Sequence, residues 1–285
     1  MNRNDKIGIV SCSNGQLLSY RNKLEKLDAR IKDLGLIPVW GNYIYELENG
    51  INGSPKAKAK ELMQLFQDEN VKAIFDISGG DIANEILPYL DYKIISGTKT
   101  KFYGYSDLTT IINAIYAKTN KSSVLYQIRN LIQSDSDNQV KYFKNSILGN
   151  EFDLYNFSYS FIQQSEMRGV VVGGNIRCLL KLAGTEYWPD MHDKILFLES
   201  YGGLVPQMIT YLSQLKQMNV FDQVTGVLLG TFTKMQKAKY RPTIQELLKN
   251  YVTDDLPIAF TNEIGHGSDS KAMIIGKEYH LTTNT

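Results

Sequence analysis

The chain has 285 residues, enough for two lobes of ordinary domain size, and with 43% hydrophobic and 21% charged residues it is neither disordered nor fibrous. The net charge of +1, with basic and acidic residues interspersed, leaves no electrostatic footprint for nucleic acid or an anionic membrane, so a small ligand is expected. Cys12 and Cys178 form neither a disulfide framework nor a CxxC metal pair, the opening segment has no signal-type apolar run, and no stretch approaches the ~18 residues of a membrane span. A cytoplasmic enzyme or binding protein is the expectation.

The elements alternate along the chain. "KIGIV" (6–10) reads as a buried strand, and Leu17, Leu18, Tyr20, Leu24, Leu27, Ile31 and Leu34 then recur at helical spacing up to Gly35. "LIPVW" is the next strand and 41–53 a loop, after which Ser54 and Pro55 open a helix as N-cap and first helical residue. "VKAIFDIS" (71–78) is a third strand, "IANEILPYL" a short helix, "KFYGY" (101–105) a fourth strand and 107–118 a helix. This order predicts a doubly wound α/β lobe over 1–150.

Residues 133–165 break the pattern with a polar stretch followed by aromatic alternation, and the lobe boundary is placed there. Beyond it come "GVVVGGN", a helix from Ile176 to Leu182, the strand "KILFLES", a helix over 204–218 and the strand "VTGVLLG". A helix over 243–251, the strand "PIAFT", the Gly-rich loop "IGHGSDS" and the strands "AMIIG" and "EYHL" end the chain. The second lobe, 166–285, is therefore also α/β, with a β-rich end.

Chemistry has few places to sit. Ser106 lies where a strand hands over to a helix, so it reads either as a nucleophile on a tight turn or as an N-cap. A serine nucleophile needs a base, and only three histidines exist: His192 and His280 have simple structural roles, whereas His266 sits between glycines after a strand. Glu199 ends an apolar strand and is followed by two glycines, so it reads either as the acid of a cleft or as a strand-end residue facing solvent. The Gly pairs of "ISGGDIANE" and "VVGGNIR" offer backbone N–H groups to an anion, and neither is a P-loop. Cys12, at the end of the first strand, is a rival nucleophile by position.

Together, "SGGDIANEILPYLDYKII", "YGYSDLTTIINAIYAKT", "GVVVGGNIRCLLKLAGTEYWPD", "KILFLES" and "IGHGSDSKAMIIGK" resemble, in order and over nearly the whole chain, the LD-carboxypeptidase family of serine peptidases, which includes the microcin C self-immunity peptidases. The resemblance implies Ser106 as nucleophile, Glu199 as orienting acid and His266 as base. It also implies an oxyanion hole of the Gly80 and Asp107 N–H groups, with neither metal nor cofactor. Gly79, Gly174, Asn175 and Arg177 are candidate substrate contacts, Arg177 as a carboxylate clamp. The implied fold is a class I glutamine amidotransferase-like (flavodoxin-like) N-terminal lobe with a C-terminal α/β lobe, in a homodimer. Two departures bear on specificity: "ESYGGLVP" has no second carboxylate after Glu199, and 150–168 offers Tyr and Phe but no Trp for stacking.

The implied activity is hydrolysis of the L,D amide bond to a terminal D-amino acid in a cytoplasmic muropeptide, as in murein tetrapeptide recycling. The alternatives are an immunity-type hydrolase of peptidyl or aminoacyl adenylates, an inactive ligand-binding homologue, and a Cys12-dependent hydrolase.

Overall fold

A computed structural model of the chain describes residues 1–283. The first half supplies β1 (Lys6–Val10), β2 (Ile37–Trp40), β3 (Val71–Asp76), β4 (Lys101–Gly104) and β5 (Ser123–Leu125). The second supplies β6 (Ser160–Gln163), β7 (Glu166–Asn175), β8 (Lys194–Ser200), β9 (Gly226–Phe232) and β10 (Ile258–Phe260), then β11 (Met273–Ile275) and β12 (Glu278–Thr282). Two six-stranded, mostly parallel sheets result, in the orders β11-β5-β4-β3-β1-β2 and β12-β7-β8-β9-β10-β6.

Within the first sheet the sequence β2-β1-β3-β4-β5 is the 2-1-3-4-5 order of flavodoxin-like sheets, whose ligands bind beyond the strand carboxyl ends near the point where the order reverses. Here that point lies between β1 and β3. The central strands are buried almost throughout, which is why "KILFLES" and "GVLLGTF" are continuous apolar runs and not alternating ones.

The helix Thr109–Thr119 joins the lobes. Every residue from Thr109 to Ile115 is buried, because one side packs in the first lobe and another meets the second sheet. Asn113 ties the contact by accepting from the Gly173 N–H and donating to the Gly173 carbonyl, both at 2.8 Å. The Ser54 cap is present, its hydroxyl accepting from the Ala57 N–H.

Three segments differ from the expectation. The region predicted to lack βα order contains the helix Ser136–Phe143, whose Phe143 packs against Phe75 and Tyr126 in the first-lobe core, and β6, which pairs antiparallel with β10. The three-residue β5 is too short to show a period. Residues 273–275, assigned above to the second lobe, run antiparallel to β5 and close the edge of the first sheet. Gly276, at φ +85, turns the chain so that β12 then pairs with β7 in the second sheet.

Candidate active site

Ser106 stands at a sharp elbow. Tyr105 is extended, Ser106 takes φ +54, and a 3-10 turn (Ser106–Leu108) leads into the helix Thr109–Thr119. A non-glycine residue in the left-handed region is strained and is held there by its surroundings. Gly104 makes the turn possible: a Cβ on it would lie 2.6 Å from the Leu108 Cβ. Neither the 3-10 turn nor the helix has a side-chain cap, so the capping role open to Ser106 is not realised.

The second lobe brings up a buried carboxylate. Asn175 and Glu199 are register partners on β7 and β8, and the Asn175 Nδ2 donates to Glu199 Oε1 at 3.1 Å. The other oxygen, Oε2, accepts from His266 Nδ1 at 2.6 Å and from the Tyr105 hydroxyl at 3.2 Å. Glu199 is 0% exposed and His266 13%, so this pair is shielded from bulk water. Burial first, and the Glu199 charge second, push the Tyr105 phenol well above its ordinary pKa and keep it a donor. Because the carboxylate can only accept, Nδ1 carries the imidazole proton and Nε2 has a lone pair for chemistry.

His266 is delivered by tight loop packing. A Cβ on Gly265 would run into the Thr231 side chain, and the Gly265 N–H donates to Ser270 Oγ at 3.0 Å. The Ile264 carbonyl accepts from the Thr231 N–H at 2.9 Å, which pins the loop to the end of β9. Tyr105 and Tyr201 flank the imidazole, with ring centroids 4.5 and 5.2 Å away.

Ser106 and His266 line the same two cavities, although their side chains are not hydrogen-bonded to each other. Such contacts are often long in a free enzyme and tighten with substrate. The larger cavity, about 450 Å³, is walled by Gly80, Asp81, Arg177, Tyr201 and Tyr211, with Asn175 at its base. The smaller, about 140 Å³, is lined by Gly79, Tyr105, Gln127, Arg129 and Asn130 as well. Gly80 is at φ +128 against Asn14, whose Oδ1 accepts from the Asp81 N–H at 2.8 Å while its own N–H donates to the Gly79 carbonyl. Thus the loops after β1 and β3 hold Gly79 and Gly80 beside Ser106.

The remaining candidates separate clearly. Gly174 does not reach either cavity: it packs against Thr109, whose hydroxyl accepts from the Asn175 N–H at 3.0 Å. Arg177 reaches the larger cavity, but its guanidinium is paired with Asp81 and donates to the Gly80 carbonyl at 2.9 Å. Cys12 is buried, and burial followed by the neighbouring Asp76 pushes its thiol well above the ordinary range, which leaves no thiolate to attack. His192 and His280 pair with Asp190 and Glu166 on the surface. No group of three or more His, Cys, Asp or Glu converges as a metal site among the described residues.

Asp107 holds the elbow from below. Its fully buried carboxylate accepts from Ser13 Oγ at 2.7 Å, the Ala83 N–H at 2.9 Å and Lys181 Nζ at 2.5 Å. Asp107→Ala would leave the buried Ala83 N–H and Ser13 hydroxyl without their acceptor and take from Lys181 its nearer carboxylate, leaving it the Asp81 carbonyl at 2.9 Å. It is expected to cost about 3–5 kcal/mol, read as a lower midpoint in urea with an unchanged slope, and a midpoint equal to the wild type's would refute the role.

Comparison with known proteins shows the family of the chain. The model of the LD-carboxypeptidase N-terminal domain matches residues 7–126, and that of the LD-carboxypeptidase C-terminal domain matches residues 168–281. The chain belongs to the LD-carboxypeptidase family. It is therefore a carboxypeptidase-type enzyme of a serine peptidase family. Among curated family members, it is 26% identical to the microcin C7 self-immunity protein MccF of Escherichia coli, over 79% of this chain and 75% of that one. It is 24% identical to a probable murein peptide carboxypeptidase of Bacillus subtilis (strain 168), over 99% and 90%. The fold of MccF in complex with glutamyl sulfamoyl guanosine superposes with a TM-score of 0.86 at 21% identity, over 100% and 97% of the two chains.

Three residues of the site were not assigned these roles from sequence. Tyr105 and Asn175 hold Glu199, a role visible only once the β7–β8 register is known. Arg129 follows β5, the strand that sequence periodicity missed.

Proposed function

We propose that the protein hydrolyses the L,D amide bond to a terminal D-amino acid in muropeptides, with Ser106 as nucleophile, His266 as base and Glu199 as the acid that orients it. The observation that carries this reading is the buried 2.6 Å contact of His266 Nδ1 to Glu199 beside a strained serine on a shared cavity. His266 Nε2 takes the Ser106 proton as Oγ adds to the amide carbonyl, and Glu199 stabilises the imidazolium. The oxyanion is held by the N–H groups of Gly80 and Asp107, each such donor typically contributing roughly 3 kcal/mol to lowering the barrier. His266 then protonates the leaving amine, and water releases the acyl group from Ser106.

The relative named as a murein peptide carboxypeptidase supports the muropeptide class. A second reading, cleavage of aminoacyl adenylates, draws on the likeness to MccF and on Tyr201 and Tyr211, which give the larger cavity aromatic faces for a nucleobase. The class I glutamine amidotransferase likeness of the first lobe, a cytoplasmic location and a homodimer accompany this proposal.

Mass spectrometry of an L,D-linked murein tetrapeptide and of an aminoacyl sulfamoyl adenosine, each incubated with the protein, tests it. Loss of D-alanine from the tetrapeptide alone is expected. Cleavage of the nucleoside conjugate alone would move the protein to the second reading, and an untouched pair would reject both.

A further inference from the structure

The small cavity contains a cation with no ion pair among the described residues. Arg129 lies in the 3-10 turn Ile128–Ile132 directly after β5, the neighbour of the strand that leads to Ser106. Its Nη1 donates to Gln16 Oε1 at 3.0 Å, while Nε is enclosed and has no partner among the described residues. Asp76 is the main carboxylate acting on it, yet the Asp76 oxygens accept from Cys12 and Ser78 instead. Arg177, by contrast, already has Asp81.

A largely buried guanidinium without an ion pair is costly, and burial lowers its pKa from the ordinary value. A ligand carboxylate in the cavity would relieve that cost with bidentate hydrogen bonds. The cavity's size suits a small occupant. An enclosed apolar cavity of about 150 Å³ admits one benzene, and about 140 Å³ is on the scale of one small amino acid. Asn130 and Gln127 add polar groups to its lining.

We propose that Arg129 binds the free α-carboxylate of the departing residue, making the small cavity the leaving-group site for a single small C-terminal amino acid. The inference rests on the Ser106 reaction proposed above. With the carboxylate at Arg129, the amine of the same residue lies towards His266, which must protonate it. Substrates that end in an amide, or continue past the scissile bond, leave the guanidinium unpaired.

The test compares the murein tetrapeptide with its C-terminal carboxamide as substrates, and D-alanine with D-alaninamide as ligands by calorimetry. The wild type is expected to prefer the acid by about 10²-fold in kcat/KM, and Arg129→Gln to lose about the same factor on the acid with little change on the amide. Arg129→Lys should recover part of the preference. Equal turnover of acid and amide by the wild type overturns the carboxylate site while leaving Ser106 hydrolysis intact, and that ratio decides even where the Gln variant folds poorly. If the tetrapeptide is untouched but D-alanine binds in an Arg129-dependent way, the substrate reading fails and the site stands. If D-alanine and D-alaninamide bind alike, or neither binds, the proposal is wrong.

Discussion

Ser106→Ala is expected to reduce kcat on the tetrapeptide by about 10⁴–10⁶-fold, the scale seen when a serine nucleophile is removed from a triad. The loss should be confined to chemistry. Serine and alanine both carry a Cβ, so the strain of φ +54 is the same in either protein, and no capping hydrogen bond is lost. Unfolding free energies should therefore agree within about 0.5 kcal/mol, and substrate affinity should persist in the variant. A variant retaining more than a tenth of wild-type turnover would show that some other group attacks the carbonyl, and Cys12 would need to be reconsidered despite its burial.

Glu199→Gln should lower kcat by about 10³–10⁴-fold, and it does so through hydrogen-bond polarity, with almost no change of shape. Three donors converge on the two carboxylate oxygens: Asn175 Nδ2, the Tyr105 hydroxyl and His266 Nδ1. A carboxamide offers one oxygen and one NH₂, so one donor must face another. If the NH₂ turns to His266, the imidazole is driven to the tautomer with its proton on Nε2 and cannot accept from Ser106. If it turns to Asn175, the conflict falls on a side chain whose own oxygen caps Cys178. Nitrogen NMR of the His266 ring separates the cases. Unchanged activity together with an unchanged tautomer would remove Glu199 from the mechanism.

Much of this site was legible residue by residue, but not as a constellation. Ser106 follows the short β4, Glu199 lies near the end of the long apolar run of β8, and His266 sits in the glycine-flanked loop after β10, and each of these local signals is readable in the sequence. Their convergence depends on strand order and on the packing of the helix after Ser106 between the sheets, and neither is encoded in local periodicity. Only the family resemblance joined them in advance. Asn175 was noticed for its glycines, yet its role follows from sitting opposite Glu199 in the β7–β8 register. Gly174 misled for a related reason: its freedom from a Cβ serves close approach to Thr109, not a ligand. Arg129 was invisible because β5 has three residues, too few to display a pattern.

The exchange made by β11 and β12 has an architectural result. A break in the chain between β5 and β6 cannot yield two whole lobes, because the first would lack the strand that covers β5 and the second would keep a strand that has nothing to pair with. The chain end thus works as a stitch, passed through one sheet and knotted in the other. His266 lies only a few residues before that stitch, so the imidazole's reach to Ser106 is set by an element anchored in both halves of the molecule.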